Sequence, residues 1–148
     1  MQLNFIANQS VPSSSGQTID VIDPSDGQVF DQIQRSAAAD IDQAVQAART
    51  AYQGAWGRLT AVERGRLLMA LSRKVSEHAA ELAAIEQRDC GKPTRQAAAD
   101  AVALARYFEF YAGACDKLHG ETLPYQNGYS VLTWREPHGV TGHVIPWN

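Results

Sequence analysis

The sequence contains few cysteines. Cys90 and Cys115 are its two, and they lie far apart, without the C-x-x-C spacing of a metal or redox motif. Secreted domains held together by disulfides need more cysteines than this, so the sequence favours a reduced, cytoplasmic setting. The first 19 residues also lack the basic start and the apolar core of a secretory signal.

Long apolar runs and an excess of positive charge are missing as well. The apolar runs are far too short to cross a bilayer, and the formal net charge of -3 offers no basic surface for nucleic acid. We therefore expect neither a membrane nor a nucleic acid as a partner. The four histidines (His78, His119, His138 and His143) have no ligand-like spacing with the cysteines, so we predict no metal site.

The amino-terminal part is typical of a small antiparallel meander. Residues 5–22 predict two short strands around a turn at 13–16, where serine and glycine favour local backbone bonding. A second turn at 23–27 leads into a strand at 28–34, with Val29 and Ile33 as its apolar members.

Three helices are predicted next. The first begins at Asp40 as N-cap, with Gln43 returning the bond, and ends in a loop around Trp56. The second begins with a capping box at Thr60 and Glu63 and continues to residue 90. The third extends over residues 94–118. Its predicted apolar seam comprises Ala101, Leu104, Phe108, Tyr111, Cys115 and Leu118.

Strand character returns after the helices. Residues 121–125 and 129–135 predict a hairpin whose loop contains Asn-Gly, the strongest short hairpin signal. A last apolar strand is predicted from residue 140 to residue 145, and its near-continuous apolar character favours parallel neighbours. No further strand follows it, so we expect that the chain carries the beginning of a sheet whose other strands are missing.

The last four residues, Ile145, Pro146, Trp147 and Asn148, predict part of a site. Pro146 holds Ile145 extended, which places Trp147 and Asn148 just beyond the carboxyl end of the strand. Ligands bind at that edge in open α/β sheets. The side-chain N–H of Asn148 could there donate a hydrogen bond to an oxyanion.

Several segments together resemble the amino-terminal part of the NAD(P)-dependent aldehyde dehydrogenase superfamily. They are VIDPSDG at 21–27, AWGRLT at 55–60, ERGRLL at 63–68, LAAIE at 82–86, GKP at 91–93, YF at 107–108, YAG at 111–113, KLHGETLP at 117–124, REPHGV at 135–140 and IPWN at 145–148. Each segment alone is weak, but their order and spacing over nearly the whole chain are highly specific.

The resemblance implies an α/β fold built as the amino-terminal part of a Rossmann-like coenzyme domain. Residues 1–120 would open that domain with short antiparallel strands and three helices. Residues 121–138 would form a hairpin arm that makes a homo-oligomer, a dimer or a tetramer, and residues 139–148 would be the first central strand, truncated at its end.

The reaction implied by the resemblance is the oxidation of an aldehyde to a carboxylic acid with NAD or NADP, through a cysteine thiohemiacetal. Asn148 matches the asparagine that holds the oxyanion, so it is the implied catalytic residue. Ile145, Pro146, Trp147 and Asn148 match the coenzyme-binding stretch. The family's cysteine nucleophile lies beyond this segment, so we expect the chain alone to be an inactive fragment of an oxidoreductase.

Other interpretations accompany these hypotheses. Without the preceding residues 145–147, Asn148 would be interpreted as a frayed chain end. Asp89 could hold a structural cation as in some family members, although a capping or ion-paired carboxylate is favoured. Gly91 and Lys92 could suggest a phosphate site, but a helix stop explains both better. The alternative function is a non-catalytic helical interaction module that pairs with a full-length homologue.

Overall fold

A computed structural model describes residues 1–146, which form an α/β structure. The elements in chain order are β1 (Asn4–Ile6), β2 (Gln9–Val11), β3 (Thr18–Ile22), β4 (Val29–Gln34), α1 (Ala38–Gln53), α2 (Ala55–Arg58), α3 (Ala61–Glu77), α4 (Ala79–Cys90), α5 (Thr94–Ala114), β5 (Thr122–Leu123) and β6 (Val131–Leu132). Within residues 1–146 the strands pair as three separate antiparallel hairpins, β1 with β2, β3 with β4 and β5 with β6. No helix in this part of the chain is long and apolar enough to span a membrane.

The first strands pair differently from the prediction. The predicted turn at 13–16 exists, with Gly16 N–H bonded to Ser13 C=O at 3.2 Å, but it separates two hairpins. The turn that joins β1 to β2 is made by Ala7 and Asn8, which have φ of 52° and 63°. Asparagine tolerates this left-handed region and alanine rarely adopts it, so the Ala-Asn pair gave no recognisable hairpin signal.

Helix α1 begins earlier than predicted. Its N-cap is Ala37, and Asp40 is the third helical residue. The Asp40 carboxylate accepts the backbone N–H of Ala37 at 2.7 Å, so it bonds back to the helix start from inside the first turn. The predicted N-cap role of Asp40 is therefore wrong. A carboxylate at the N-cap or at the third helical position can satisfy free N–H groups at the helix start, so the sequence did not distinguish the two positions. Trp56 lies in the short helix α2, and the loop predicted around it is also wrong.

The second predicted helix begins as expected and then divides. The Thr60 hydroxyl accepts the N–H of Glu63 at 3.3 Å, and the Glu63 carboxylate accepts the N–H of Thr60 at 2.8 Å, which confirms the capping box. At His78, φ of -104° and ψ of 14° interrupt the helix and separate α3 from α4. This break allows both helices to pack on α5, as each of them does.

Helix α5 ends at Ala114, before the predicted end at 118. Its buried residues are Ala97, Ala101 and Ala105. The predicted seam is therefore correct at Ala101 and wrong at Leu104, Tyr111 and Leu118, which are exposed. Small side chains of α5 face α3 because α3 and α5 approach each other too closely for larger side chains.

The carboxyl-terminal elements are short. Thr122 pairs with Leu132 and Leu123 with Val131, so the predicted hairpin is present in a reduced form. The strand predicted at residues 140–145 is not formed in the described part of the chain. An extended segment becomes a strand only when a neighbour accepts its hydrogen bonds, and residues 140–146 have no such neighbour here.

Candidate functional site

The predicted coenzyme-binding stretch begins at the carboxyl end of the described residues. Ile145 is 76% exposed and Pro146 is exposed too. Trp147 and Asn148 lie outside the described residues. No wall surrounds Ile145 and Pro146 within residues 1–146, so this part of the chain does not by itself enclose a dinucleotide.

The structure brings together two motifs that are far apart in sequence, the turn after β3 and the end of α4. Asp23 orders the turn because its carboxylate accepts both the N–H of Ser25, at 2.9 Å, and the hydroxyl of Ser25, at 2.6 Å. The hydroxyl bond is the main reason that the pKa of Asp23 is lowered. The adjacent Pro24 contacts the α4 cap, since a Cβ on Gly91 would lie 3.1 Å from Pro24 Cγ.

A hollow of about 520 Å³ lies where these two motifs meet. Its lining comprises Asp23, Ser25, Ala84, Gln87, Arg88, Gly91, Lys92, Pro93 and Thr94. Arg88 forms one side: its Nε lies 3.6 Å from the Asp23 carboxylate, and its guanidinium lies 4.3 Å from the centre of the Phe30 ring. The ion pair and the cation–π contact both attach α4 to the β3–β4 hairpin.

Lys92 is held by two carboxylates. Its Nζ donates to Asp100 Oδ2 at 2.7 Å and to Glu86 Oε1, and its side chain is 14% exposed. The bonds to Asp100 and then to Glu86 raise the pKa of Lys92 well above its usual value. Because the ammonium is neutralised within the protein, it connects α4 to α5 and does not serve as a phosphate ligand. The helix-stop interpretation is confirmed by Gly91, whose φ is 70° and whose N–H bonds to Gln87 C=O at 2.9 Å.

The two cysteines show no catalytic arrangement. Each thiol is free and half-buried. Cys90 Sγ donates to Glu86 C=O and Cys115 Sγ donates to Tyr111 C=O, each at 3.2 Å. Each bond is to a carbonyl four residues earlier, and among the described residues neither thiol is bonded to a base that could activate it.

Asp89 lies in a second hollow, of about 460 Å³, beside Val21, Phe30 and Ile85. Its side chain is exposed. Among the residues that the structure describes, no group of three His, Cys, Asp or Glu side chains is arranged to hold a metal ion. The cation role considered for Asp89 therefore has no set of ligands in this part of the chain.

Sequence reasoning identified Asp40 only as a helix cap and missed its contacts with the serine turn. Its carboxylate accepts the Ser13 hydroxyl and the Ser14 N–H, each at 2.8 Å, in addition to the N–H of Ala37. The side chain is buried although it is ionised, and these bonds, with that from Ala37 first, lower its pKa to about 2. A Ser-rich turn followed by an acidic residue in a helix start is too common a pattern to have revealed the contact.

Comparison with known proteins gives a consistent result. Residues 11–148 match the model of the aldehyde dehydrogenase family. The mitochondrial aldehyde dehydrogenase family 2 member B4 of Arabidopsis thaliana is 44% identical over 146 residues, which are 97% of this chain and 27% of that protein.

Two solved structures extend the comparison. A Burkholderia cenocepacia protein assigned as an aldehyde dehydrogenase is 63% identical, with a TM-score of 0.94 over 98% of this chain and 31% of its own. Betaine aldehyde dehydrogenase from Staphylococcus aureus, solved with NAD+, is 31% identical, with a TM-score of 0.80 over 86% of this chain and 26% of its own. The chain thus spans less than a third of the length of each of these relatives. The predicted α/β fold class is confirmed by this likeness.

Proposed function

The chain belongs to the aldehyde dehydrogenase family, and we propose from this premise that it forms the amino-terminal part of the coenzyme domain of an enzyme that oxidises an aldehyde to a carboxylic acid. The observation that carries the proposal is the family match over residues 11–148, which includes the whole stretch from Ile145 to Asn148. NAD or NADP is the proposed coenzyme, as the family resemblance implies and as the bound NAD+ of the Staphylococcus aureus relative supports.

Within such an enzyme Asn148 has one chemical task. A thiolate from elsewhere in the protein adds to the aldehyde carbonyl, and the carbonyl oxygen becomes an oxyanion. The amide N–H of Asn148 donates a hydrogen bond to that oxyanion and lowers the barrier to its formation. NAD or NADP, when bound, would supply the acceptor for the hydride that leaves the same carbon.

The residues before Asn148 have a supporting task. Ile145, Pro146 and Trp147 would line one side of the coenzyme cleft, and the exposed surface of Ile145 and Pro146 is available for that contact. The remaining walls would come from residues that are not in this chain. The chain alone is proposed to be inactive because it lacks the family's cysteine nucleophile.

The hairpin of β5 and β6 is proposed as the oligomerisation arm, between residues 1–120 and 139–148 of the coenzyme domain. Leu132 is 58% exposed and Trp134 is 82% exposed, and each strand has an open edge among the described residues. An open edge with apolar side chains can pair with another copy of the protein.

The test uses the full-length Burkholderia cenocepacia relative. Alanine at the position aligned with Asn148 should lower kcat by about 100-fold to 1,000-fold, as loss of one oxyanion donor does. Substrate-dependent NADH formation gives kcat, and fluorescence titration gives the Kd for NAD. A kcat within a few-fold of the unaltered enzyme would overturn the assignment of Asn148. Aldehyde-dependent NADH formation by the purified 148-residue chain would contradict its proposed inactivity.

A further inference from the structure

Asn127 and Gly128 form the tip of the hairpin that joins β5 to β6, and both residues are exposed. The N–H of Tyr129 donates to Gln126 C=O at 3.1 Å, which closes a turn with Asn127 and Gly128 at its centre. The φ of Gly128 is 88°, a left-handed value that glycine adopts without strain. The turn therefore depends on the backbone of these two residues and leaves the side chain of Asn127 without a structural task.

Two groups that could react with each other lie side by side in this turn. Within residues 1–146, neither the side-chain amide of Asn127 nor the backbone N–H of Gly128 takes part in a hydrogen bond. Glycine lacks the Cβ that crowds the backbone nitrogen of other residues. A Cβ built on Gly128 would have nothing within 4 Å, so the space beside this residue is open. The Gly128 nitrogen can thus reach the Asn127 amide carbon by rotations within the turn.

We propose that Asn127 is a site of spontaneous deamidation, in which the backbone nitrogen of Gly128 attacks the side-chain Cγ of Asn127. The new N–Cγ bond closes a succinimide ring. The bond from Cγ to Nδ2 breaks, and the side-chain nitrogen leaves as ammonia with the proton of the Gly128 N–H. Water then adds to one of the two ring carbonyls and opens the ring, which gives aspartate or isoaspartate. The reaction consumes only water.

The reaction changes both the charge and the shape of the hairpin tip. It replaces a neutral amide by a carboxylate, which is ionised at neutral pH, so the formal net charge of -3 becomes more negative by one. Isoaspartate also adds a methylene to the main chain, and a four-residue turn has a fixed set of dihedral angles that this insertion disturbs. The rings of Tyr125 and Tyr129, with centres 5.9 Å apart, flank the turn and would move with it.

A second turn of the chain shows which contacts would protect such a site. Asp26 and Gly27 lie in the exposed turn between β3 and β4, and aspartate before glycine can close the same ring. The N–H of Gly27 donates to Asp23 C=O at 2.8 Å, and the Asp26 carboxylate accepts the N–H of Gln28 at 2.9 Å. Both reacting groups are therefore held by hydrogen bonds that must break before a ring can form. The Asn127 turn has neither bond.

The experiment compares the two turns in the 148-residue chain carrying Asp26→Asn, which has asparagine before glycine at both places. The amide oxygen of the new side chain can still accept the N–H of Gln28. The chain is kept at neutral pH, once folded and once in guanidinium chloride, and mass spectrometry of its peptides gives the rate of amide loss at each position. The unaltered chain gives the rate at Asn127 without any substitution.

Folding should affect the two positions differently. The rate at Asn127 should be within about threefold of its value in guanidinium chloride, because an exposed loop tip opens at little cost. The rate at position 26 should fall by at least about tenfold on folding, because two hydrogen bonds oppose ring closure. A rate at Asn127 that folding lowers as strongly as the rate at position 26 would overturn the proposal.

The products and a second variant test the ring intermediate itself. Hydrolysis of a succinimide gives a mixture of aspartate and isoaspartate, and in water enriched in a heavy oxygen isotope each product gains one labelled oxygen. Gly128→Ala should slow amide loss from Asn127 several-fold in guanidinium chloride as well, since the added Cβ crowds the attacking nitrogen whether or not the turn is formed. Aspartate as the sole product, or an unchanged rate in Gly128→Ala, would contradict attack by the Gly128 nitrogen.

Discussion

The Ser13 hydroxyl donates a hydrogen bond to the Asp40 carboxylate across 27 residues of chain, with a distance of 2.8 Å. The backbone N–H of Ser13 also donates to the side-chain carbonyl of Gln34 at 2.7 Å. The pair therefore attaches the turn before β3 to both the end of β4 and the start of α1. It is the main polar link between the strands and the first helix.

This hydrogen-bonded link should make the free energy of unfolding depend on pH in the acidic range. The pKa of Asp40 is lowered from 3.8 to about 2 in the folded chain. Its stabilising effect is therefore complete above the unfolded value and is lost as pH falls through the folded value. We expect the urea midpoint to fall between about pH 4 and about pH 2, as measured by circular dichroism.

Asp40→Asn separates this effect from that of other carboxylates. The amide keeps the size of the side chain but cannot titrate, so the variant should bind up to about one proton fewer on unfolding in this range. Identical pH profiles for the two chains would show that Asp40 does not contribute.

Ser72 should stabilise the contact between α3 and α5. Ser72→Ala removes the buried hydrogen bond to Ala105 C=O and should lower the free energy of unfolding by about 1 kcal/mol. The control is Ser76→Ala, because the Ser76 hydroxyl bonds only to Ser72 C=O within its own helix. That substitution should cost less than about 0.5 kcal/mol in the same urea titration. A larger loss for Ser76→Ala would contradict this assignment.

Two glycines of the same helix pair should respond in opposite directions to alanine. Gly65→Ala places a methyl 2.7 Å from Ala112 C=O and should lower the free energy of unfolding by about 1–3 kcal/mol. Gly113 lies in α5, and a methyl added there would have nothing within 4 Å, so Gly113→Ala should raise it by about 0.5–1 kcal/mol. Urea denaturation followed by circular dichroism measures both. Stabilisation by Gly65→Ala would mean that α3 and α5 are not in close contact.

Alanine should destabilise the chain more at Gly91, which caps α4, than at Gly27, in the turn before β4. Gly91 and Gly27 have φ of 70° and 73°, so alanine is strained at both. Only at Gly91 does the new Cβ meet another residue, Pro24 Cγ at 3.1 Å. Gly27→Ala should cost about 1 kcal/mol and Gly91→Ala about 2 kcal/mol, measured by thermal denaturation. Equal losses would indicate that the loop carrying Pro24 moves away freely.

Sequence patterns located elements well where the signal is local. The capping box at Thr60 and Glu63 is formed, and Gly91 ends α4 as predicted. Patterns failed where two alternatives satisfy the same local rule. Asp40 could cap α1 from two positions, and the apolar residues of α5 could face α3 along either of two stripes.

The candidate site was also predicted only in part from local patterns. The ordered segments that end at Asn148 together identify the family from sequence alone, and the family match covers residues 11–148. No local pattern indicated that Asp23 and Arg88 would line one hollow, or that Lys92 would be neutralised by Glu86 and Asp100. Contacts between residues distant in sequence depend on how the helices pack, and no short segment specifies that packing.

The sequence by itself determined the family and the positions of most helices and strands. These follow from caps, turn residues and ordered motifs, which act over a few residues of chain. Only the tertiary structure decided which side of α5 packs on α3 and which side stays uncovered. The reason is steric: Gly65 and the small residues Ala97, Ala101 and Ala105 allow the two helices to approach closely, and the larger apolar side chains of α5 are left facing outwards.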